Sequence, residues 1–186
     1  MNIAQGAIAI AFSARDAIRV MVNVQAEDCE SVVETASCTI RPFLLEDLKQ
    51  ILEIEREAFP KTGYPKEVIL NYAKRLPDGF IVVEAAKQIM GYMIFDQTGH
   101  VYSAAVRPSH RRKGFGRKLF LHASEQSYGK LWLEVRSKNT GAIGFYQRIG
   151  MRIVGRVQGY YRGDDALVMI LDGLGEGRMT GAGAIR

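Results

Sequence analysis

The chain has 186 residues, of which 47% are hydrophobic and 24% charged, a profile typical of one globular domain with short extensions. Its formal net charge of +5 favours anionic partners without requiring nucleic acid. The sequence has no run of about 18 uncharged apolar residues, which excludes a membrane-spanning helix. Two cysteines, Cys29 and Cys38, are too few for a disulfide framework or a four-ligand zinc site, which predicts a cytoplasmic protein without a bound metal.

The two ends of the chain differ from its middle. Residues 1–38 begin with an Ala-, Ile- and Val-rich stretch that lacks the basic start and cleavage site of a secretory signal, so we interpret them as an accessory extension of unknown role. A transit peptide is the alternative, although only Arg15 and Arg19 support it. Residues 173–186 are glycine-rich with little to bury, which predicts a flexible tail. The folded domain is therefore expected at residues 39–172.

The first half of this domain has the pattern of a strand, two helices and three strands. Apolar residues recur at helical spacing from Leu45 to Glu55, and Pro65 suits the first turn of the second helix. The following apolar runs are short and bounded by turn residues, which is typical of strands. The predicted elements are a strand at 39–42, helices at 45–59 and from 65, and strands at 79–84, 89–96 and 100–106.

The second half alternates helices with strands. A basic, glycine-containing turn precedes a helix that we expect to end at Gly129, and residues 131–136 alternate as a strand does. Asn139 or Thr140 can cap the next helix. The last strands are expected at residues 153–157 and 166–171. The order predicts a mixed α/β sheet covered by helices.

The turn before the third helix has the features of an anion-binding site. Its pattern, Arg-x-x-Gly-x-Gly from Arg111 to Gly116, lets the backbone turn tightly and aims successive N–H groups at one point, where the helix dipole adds to them. Residues 107–118 contain six Lys or Arg and no acid. The pattern predicts a site for a pyrophosphate.

Other interpretations of this turn remain open. The dinucleotide fingerprint requires a third glycine where Leu119 stands, and no Gly-Lys pair followed by Ser or Thr forms a P-loop. A nucleic-acid groove would gather the other basic residues into a stripe, and they are scattered. A solvated basic turn that only caps a helix explains the short pattern equally well.

Longer segments carry a family resemblance. Val106–Gly116 resembles the acetyl-CoA motif of the GCN5-related N-acetyltransferase (GNAT) superfamily, and Leu133–Asn139 with residues 142–151 resembles its second signature block. Gly159–Ala166 is similar to the Tyr-Tyr…Asp-Ala loop of protein N-terminal acetyltransferases, which include the RimI-like ribosomal-protein alanine acetyltransferases, their archaeal relatives and the NatA type. The likeness covers residues 39–172.

The resemblance implies an α/β (α+β) fold with a mixed, mostly antiparallel central sheet, a splayed strand pair and helices on both faces. It implies transfer of the acetyl group of acetyl-CoA to the N-terminal α-amino group of a protein or peptide, by direct transfer in a ternary complex and without a metal. The implied coenzyme-binding residues are Ala104, Ala105, Val106, Arg112, Lys113, Gly114, Phe115, Gly116, Arg117 and Asn139. The implied peptide-binding residues are Phe59, Tyr64, Tyr160 and Tyr161.

The resemblance also implies that Glu134 is the general base and Tyr146 the general acid. Acetyl transfer needs a neutral amine, and a peptide α-amine with a pKa near 8 needs only a weak base. The departing thiolate then needs a proton. His100 is the rival base, because NatA-type enzymes carry a similar Gly-His start to this strand. Without the resemblance, Glu134 would be read as an exposed strand residue and Tyr146 as a core aromatic.

One position departs from the pattern. NatA-type and archaeal relatives often place a glutamate after the proline of the first helix–helix loop, where this chain has Lys61 in a loop one residue longer. We hypothesise that acidic first residues are tolerated better here. The alternatives to N-terminal acetylation are a small-molecule or lysine acetyltransferase and a non-catalytic CoA-binding or nucleic-acid-binding module. As partners we expect a peptide N-terminus, such as that of a ribosomal protein, without nucleic acid or membrane, and a monomer or weak dimer.

Overall fold

A computed structural model describes residues 38–172, and the expected N-terminal extension and C-terminal tail lie outside the described residues, apart from Cys38. Within this range the chain forms seven strands and four α-helices. The strands are β1 (Thr39–Pro42), β2 (Phe80–Ala85), β3 (Gln88–Phe95), β4 (Val101–Val106), β5 (Leu131–Arg136), β6 (Arg152–Tyr161) and β7 (Asp164–Leu171). The helices are α1 (Leu48–Ala58), α2 (Lys66–Arg75), α3 (Phe115–Gln126) and α4 (Thr140–Arg148), with 3₁₀ turns at Leu45–Asp47 and Pro108–His110. No helix of residues 38–172 is long and apolar enough to cross a bilayer.

The strands form two antiparallel sheets that meet at one point. The first sheet has the order β1-β2-β3-β4, and the second has the order β5-β7-β6. β4 and β5 are joined by a single parallel bridge between His100 and Trp132, and the Trp132 amide donates to the Gly99 carbonyl at 2.9 Å. Beyond this bridge the two strands diverge, so the expected splayed strand pair is confirmed.

A bulge in β4 changes the direction of its side chains. Ile94 lies opposite Ser103 and Phe95 lies opposite Val101, so Tyr102 is an extra residue. An extra residue interrupts the alternation of a strand. Tyr102 and Ser103 consequently both face the helices α1 and α2, where Tyr102 packs against the core and Ser103 contacts Tyr92.

Two apolar clusters cover opposite faces of the sheets. One joins α3 and α4 to residues of both sheets, including the buried Phe115, Leu119 and Phe120. The other lies under α1 and α2 and includes the fully buried Ile51 and Ile54. Helices on both faces agree with the predicted architecture.

The prediction for β6 was wrong about where the strand ends. The sequence pattern placed the end at residue 157, with the paired tyrosines in a loop, whereas β6 continues to Tyr161 and a turn of two residues leads to Asp164. Pairing with β7 is irregular between Val157 and Tyr161, and Gly159 adopts a φ of +62° there. Gln158 and Gly159 lie between the pairs Val157–Ala166 and Tyr161–Asp164, and the Gly159 amide donates to Asp165 Oδ1 at 2.8 Å.

Candidate active site

The glycine turn is a backbone cradle at the start of α3. Gly114 is the N-cap residue with a left-handed φ of +86°, and Arg112 also has a positive φ of +63°. Gly114 has no side chain that could cap this helix, and N–H groups at a helix N-terminus, together with the helix dipole, favour binding of an anion. A Cβ on Gly116 would lie 3.1 Å from the Phe145 ring, because α3 packs closely against α4 here. The geometry fits the pyrophosphate site predicted from the sequence.

The predicted pantetheine strand has one unpaired edge. β4 pairs with β3 along one side, through Ala105 opposite Tyr92 and Val106 opposite Gly91. Along its other side, within the described residues, its only strand contact is the His100–Trp132 bridge. The edge of residues 104–106 that faces away from β3 is therefore available for an extended ligand next to the cradle, where the Val106 carbonyl accepts a 3.4 Å hydrogen bond from Arg111 Nε.

The two candidate bases form one hydrogen-bonded pair. His100 Nε2 lies 2.9 Å from Glu134 Oε2, and each side chain is about one-fifth exposed. The His100 ring stacks on Trp132, with centroids 3.8 Å apart and an interplanar angle of 8°, and lies 4.4 Å from the Tyr102 ring. Sequence reasoning treated His100 and Glu134 as rivals, whereas the fold places them together.

Gly99 makes this pairing geometry attainable. Its φ is +80°, and a Cβ would lie 2.0 Å from the Lys130 carbonyl oxygen. Only glycine can approach another backbone this closely in a left-handed conformation. The contact brings the starts of β4 and β5 together and so sets the distance between His100 and Glu134.

Tyr146 lies on α4 and packs against the apolar cluster that joins α3 and α4 to the sheets. Its ring packs against Phe120 and Phe145, with centroids 5.6 and 5.5 Å away. Desolvation raises the pKa of Tyr146 to about 12, with a further contribution from Tyr161. The phenol is therefore protonated at neutral pH and has a proton to donate.

Tyrosines of the α1–α2 loop, of α2 and of the β6–β7 hairpin lie near the opening between the diverging strands β4 and β5. Tyr64, after α1, lies 5.7 Å from Tyr72 in α2, which lies 5.4 Å from Tyr102. Burial raises the pKa of Tyr64, and the Tyr161 hydroxyl is close enough to contribute. Phe59 packs on the apolar cluster beneath this loop. The α1–α2 loop and the β6–β7 hairpin therefore face each other across the opening.

The two adjacent tyrosines of β6 have different surroundings. Tyr160 is 53% exposed, whereas Tyr161 lies under the Arg136 guanidinium, 4.1 Å from its ring centre, and donates a 3.2 Å hydrogen bond to the Glu134 carbonyl. Burial, followed by the charge of Glu134, raises the pKa of Tyr160. Tyr160 is thus the more available of the two for a ligand, as expected for neighbours in an extended strand.

Asn139 caps α4. Its Oδ1 accepts a hydrogen bond from the Ala142 amide at 3.1 Å, so Asn139, rather than Thr140, is the N-cap residue. The side chain is exposed at the splayed end of β5. Its expected contact with the coenzyme stays a prediction.

Sequence reasoning missed two groups beside the site. Trp132 forms the platform for His100, and Glu55 is buried beneath the α1–α2 loop. A signal for Glu55 was present, because it continues the apolar spacing of α1 although it is charged. Within residues 38–172, no three His, Cys, Asp or Glu side chains are arranged to hold a metal ion.

Comparisons with known proteins agree with this geometry. The family "Acetyltransferase (GNAT) family" matches residues 46–151. An uncharacterized N-acetyltransferase of Methanocaldococcus jannaschii is 38% identical over 70% of this chain and 89% of its own length. An N-alpha-acetyltransferase of Sulfurisphaera tokodaii is 31% identical over 70% of this chain and 90% of its own.

Solved structures give the same result. Ard1 from Thermoplasma volcanium superposes with a TM-score of 0.64 at 29% identity, covering 72% of this chain and 96% of that one. The ribosomal-protein-S18-alanine N-acetyltransferase from Escherichia coli has a TM-score of 0.64 at 22% identity, covering 76% and 97%, and supports the fold alone.

Proposed function

The chain belongs to the acetyltransferase (GNAT) family, and from that premise we propose that it acetylates the N-terminal α-amino group of proteins or peptides. One observation carries the proposal: the His100–Glu134 pair lies between tyrosines of the α1–α2 side, which it reaches through Tyr102, and Tyr161 of the β6–β7 hairpin, which donates to the Glu134 carbonyl. An acid–base pair at the floor of an aromatic-walled opening suits a chain end that enters with its amine first. The small-molecule alternative has weaker support, because the streptothricin acetyltransferase of Streptomyces lavendulae matches only 45% of this chain, whereas the N-alpha-acetyltransferase of Sulfurisphaera tokodaii matches 70%.

Acetyl-CoA is the proposed acetyl donor, and the cradle fits it. The left-handed Gly114, the uncapped first turn of α3 and the unpaired edge of β4 are the features that a pyrophosphate followed by an extended arm requires. Residues 112–117 would hold the pyrophosphate, residues 104–106 the arm, and Asn139 the coenzyme beyond β5. When bound, acetyl-CoA supplies the reactive thioester.

Deprotonation of the amine is assigned to the His100–Glu134 pair. A peptide α-amine has a pKa near 8, so an imidazole hydrogen-bonded to a carboxylate is a sufficiently strong base. Trp132 holds the imidazole plane by stacking, and Glu134 holds one of its nitrogens at 2.9 Å.

Protonation of the departing sulfur is assigned to Tyr146. A phenol with a pKa of about 12 is protonated at neutral pH but is a weaker acid than a thiol of ordinary pKa near 8.5, so Tyr146 acts by sharing its proton with the sulfur while the C–S bond breaks. A thiolate of ordinary pKa near 8.5 is a good leaving group, so the proton assists its departure without being indispensable.

The remaining assignments are part of the same proposal. The catalytic domain comprises residues 39–172, with residues 1–38 and 173–186 as appendages. Phe59, Tyr64, Tyr160 and Tyr161 line the peptide entrance. The protein acts in the cytoplasm as a monomer or weak dimer on a protein N-terminus, such as that of a ribosomal protein.

Mass spectrometry of peptides incubated with the full-length protein and acetyl-CoA tests the proposal. Peptides beginning with Ala, Ser, Met or Asp and containing an internal lysine offer both amines at once. The expected product carries one acetyl group on the α-amine, and a peptide with a blocked N-terminus remains unmodified. Acetylation confined to lysine, or no product at saturating acetyl-CoA, would contradict the proposal.

A further inference from the structure

Glu55 is a charged side chain on the buried face of α1. Only 3% of its surface is exposed, and it follows the fully buried Ile51 and Ile54 on the same helix face. A carboxylate in such a place destabilises the fold unless each oxygen has a partner. Its partners therefore indicate why an acid stands where an apolar residue would pack.

Both carboxylate oxygens of Glu55 accept hydrogen bonds. Oε2 accepts from the Tyr64 amide at 2.5 Å, and Oε1 accepts from the Tyr92 hydroxyl. The Tyr92 hydroxyl also lies 2.8 Å from Ser103 Oγ, at the bulge of β4. A continuous chain of contacts thus runs from the α1–α2 loop through Glu55 and Tyr92 to the residue before Ala104. Burial raises the pKa of Glu55, and the Tyr64 amide opposes that rise.

The α1–α2 loop is wrapped around this carboxylate. Gly63 and Thr62 donate their amides to the Phe59 carbonyl at 2.8 and 3.2 Å, which closes a tight turn. A Cβ on Gly63 would lie 3.3 Å from Glu55 Oε2 and 3.1 Å from the Phe59 carbonyl. The loop is packed tightly over Glu55, so the position of Tyr64 depends on the carboxylate beneath it.

We propose that Glu55 is a positioning residue that holds the peptide-binding loop, residues 59–64, at a fixed distance from the coenzyme strand β4. It acts through the Tyr64 amide on one side and the Tyr92 hydroxyl on the other. The functional part of this inference rests on the proposed function, since it takes the loop as the peptide entrance. A carboxylate suits the task because it accepts two bonds in opposite directions.

Two substitutions of Glu55 separate positioning from packing. Glu55→Leu keeps the volume but leaves the Tyr64 amide and the Tyr92 hydroxyl without this acceptor. Glu55→Gln retains both links, because its carbonyl accepts from Tyr64 and its amide donates to the Tyr92 oxygen, whose proton can go to Ser103. Glu67→Leu, at an exposed site in the first turn of α2, is the matched control.

Hydrogen exchange of the Tyr64 amide, followed by NMR in the full-length protein, tests the positioning directly. Glu55→Leu is expected to accelerate this exchange about tenfold or more, while Glu55→Gln and Glu67→Leu leave it near the wild-type rate. In steady-state kinetics, Glu55→Leu is expected to raise the peptide KM about tenfold, with kcat and the acetyl-CoA Kd within about twofold of wild type.

Unchanged Tyr64 exchange in Glu55→Leu would overturn the proposal, as would an equal loss of kcat, peptide binding and coenzyme binding in a folded variant. If Glu55→Leu does not fold, Tyr92→Phe removes only one hydroxyl and is expected to raise the peptide KM about threefold, and an unchanged KM would count against the proposal. A wild-type protein that binds acetyl-CoA but acetylates no peptide would defeat the proposed function instead. The exchange measurement would still decide whether Glu55 holds the loop.

Discussion

The coenzyme side and the peptide side of the opening are built in different ways. The proposed coenzyme side is mostly backbone from one continuous stretch, residues 104–117, where positive φ angles and the start of α3 form the cradle. The peptide side is assembled from side chains of the α1–α2 loop, β4, β5 and the β6–β7 hairpin. A backbone site is encoded by a local pattern, whereas a side-chain site exists only after distant segments pack.

The same contrast extends to how each side tolerates change. A backbone cradle loses affinity for its ligand when a substitution changes a φ angle or fills the space of the ligand. Charge substitutions around it change this affinity little, because its basic side chains are mostly exposed. The peptide side loses chemistry when one side chain is altered, because each has a single role. The predictions below test that division, beginning with the largest expected effect.

Glu134→Gln is expected to lower kcat about 10²- to 10³-fold. The imidazole of His100 loses its charged partner, and the amine loses the acid–base pair to which its proton is transferred. The acetyl-CoA Kd should stay within about twofold, because the change lies on the peptide side. Stopped-time acetylation assays and calorimetry measure the two quantities. A variant with wild-type kcat would remove Glu134 from the proposed mechanism.

Gly114→Val is expected to weaken acetyl-CoA binding about tenfold or more, because a β-branched residue is strained at a φ of +86°. The peptide KM at saturating acetyl-CoA should change little. Calorimetry with acetyl-CoA gives the affinity, and Gly163→Val, at a φ of +73° in the β6–β7 turn, is the matched control away from the cradle. Equal affinities for both variants would contradict the division between the two sides.

Tyr146→Phe is expected to lower kcat about tenfold, less than the change at Glu134, because a thiolate leaves readily without assistance. Since the pKa of Tyr146 is about 12, its proton is retained as the pH rises from 7 to 10. The wild-type kcat should therefore not decline over this range because of Tyr146. Any decline that does occur should also be present in Tyr146→Phe. A decline between pH 7 and 10 that is present in the wild type and absent in Tyr146→Phe would show that Tyr146 loses its proton below pH 10.

Lys61→Glu is expected to have the smallest effect, a reduction of about threefold in kcat/KM for peptides beginning with Asp relative to those beginning with Ala. Lys61 is exposed next to Pro60, at the edge of the peptide-binding loop, so its charge is screened by solvent. Initial rates on the two peptides measure the ratio, with Lys66→Glu in α2 as the control. A ratio that does not change would dismiss the hypothesis that Lys61 favours acidic first residues.

Much of the fold could be predicted, because the elements up to β5 carry clear periodicity and turn residues. The splayed pair, the helices on both faces and the N-cap role of Asn139 agree with the expectation. The end of β6 could not be predicted, since Gln158 and Gly159 have the pattern of a turn and the strand continues past them only because Tyr161 pairs with Asp164 of β7. Glu55 was visible as a charge on an apolar stripe, but its partners, Tyr64 and Tyr92, lie 9 and 37 residues away.

The sequence by itself determined the order of elements, the family and the glycine turn at the start of α3, because each depends on residues close together in the chain. Only the tertiary structure joined His100 to Glu134 and Glu55 to the peptide-binding loop, since these contacts span many residues and depend on the close approach at Gly99 and the bulge in β4. Periodicity records which face a side chain occupies. Periodicity does not show which distant side chain contacts it on that face, and such contacts set the chemistry of this site.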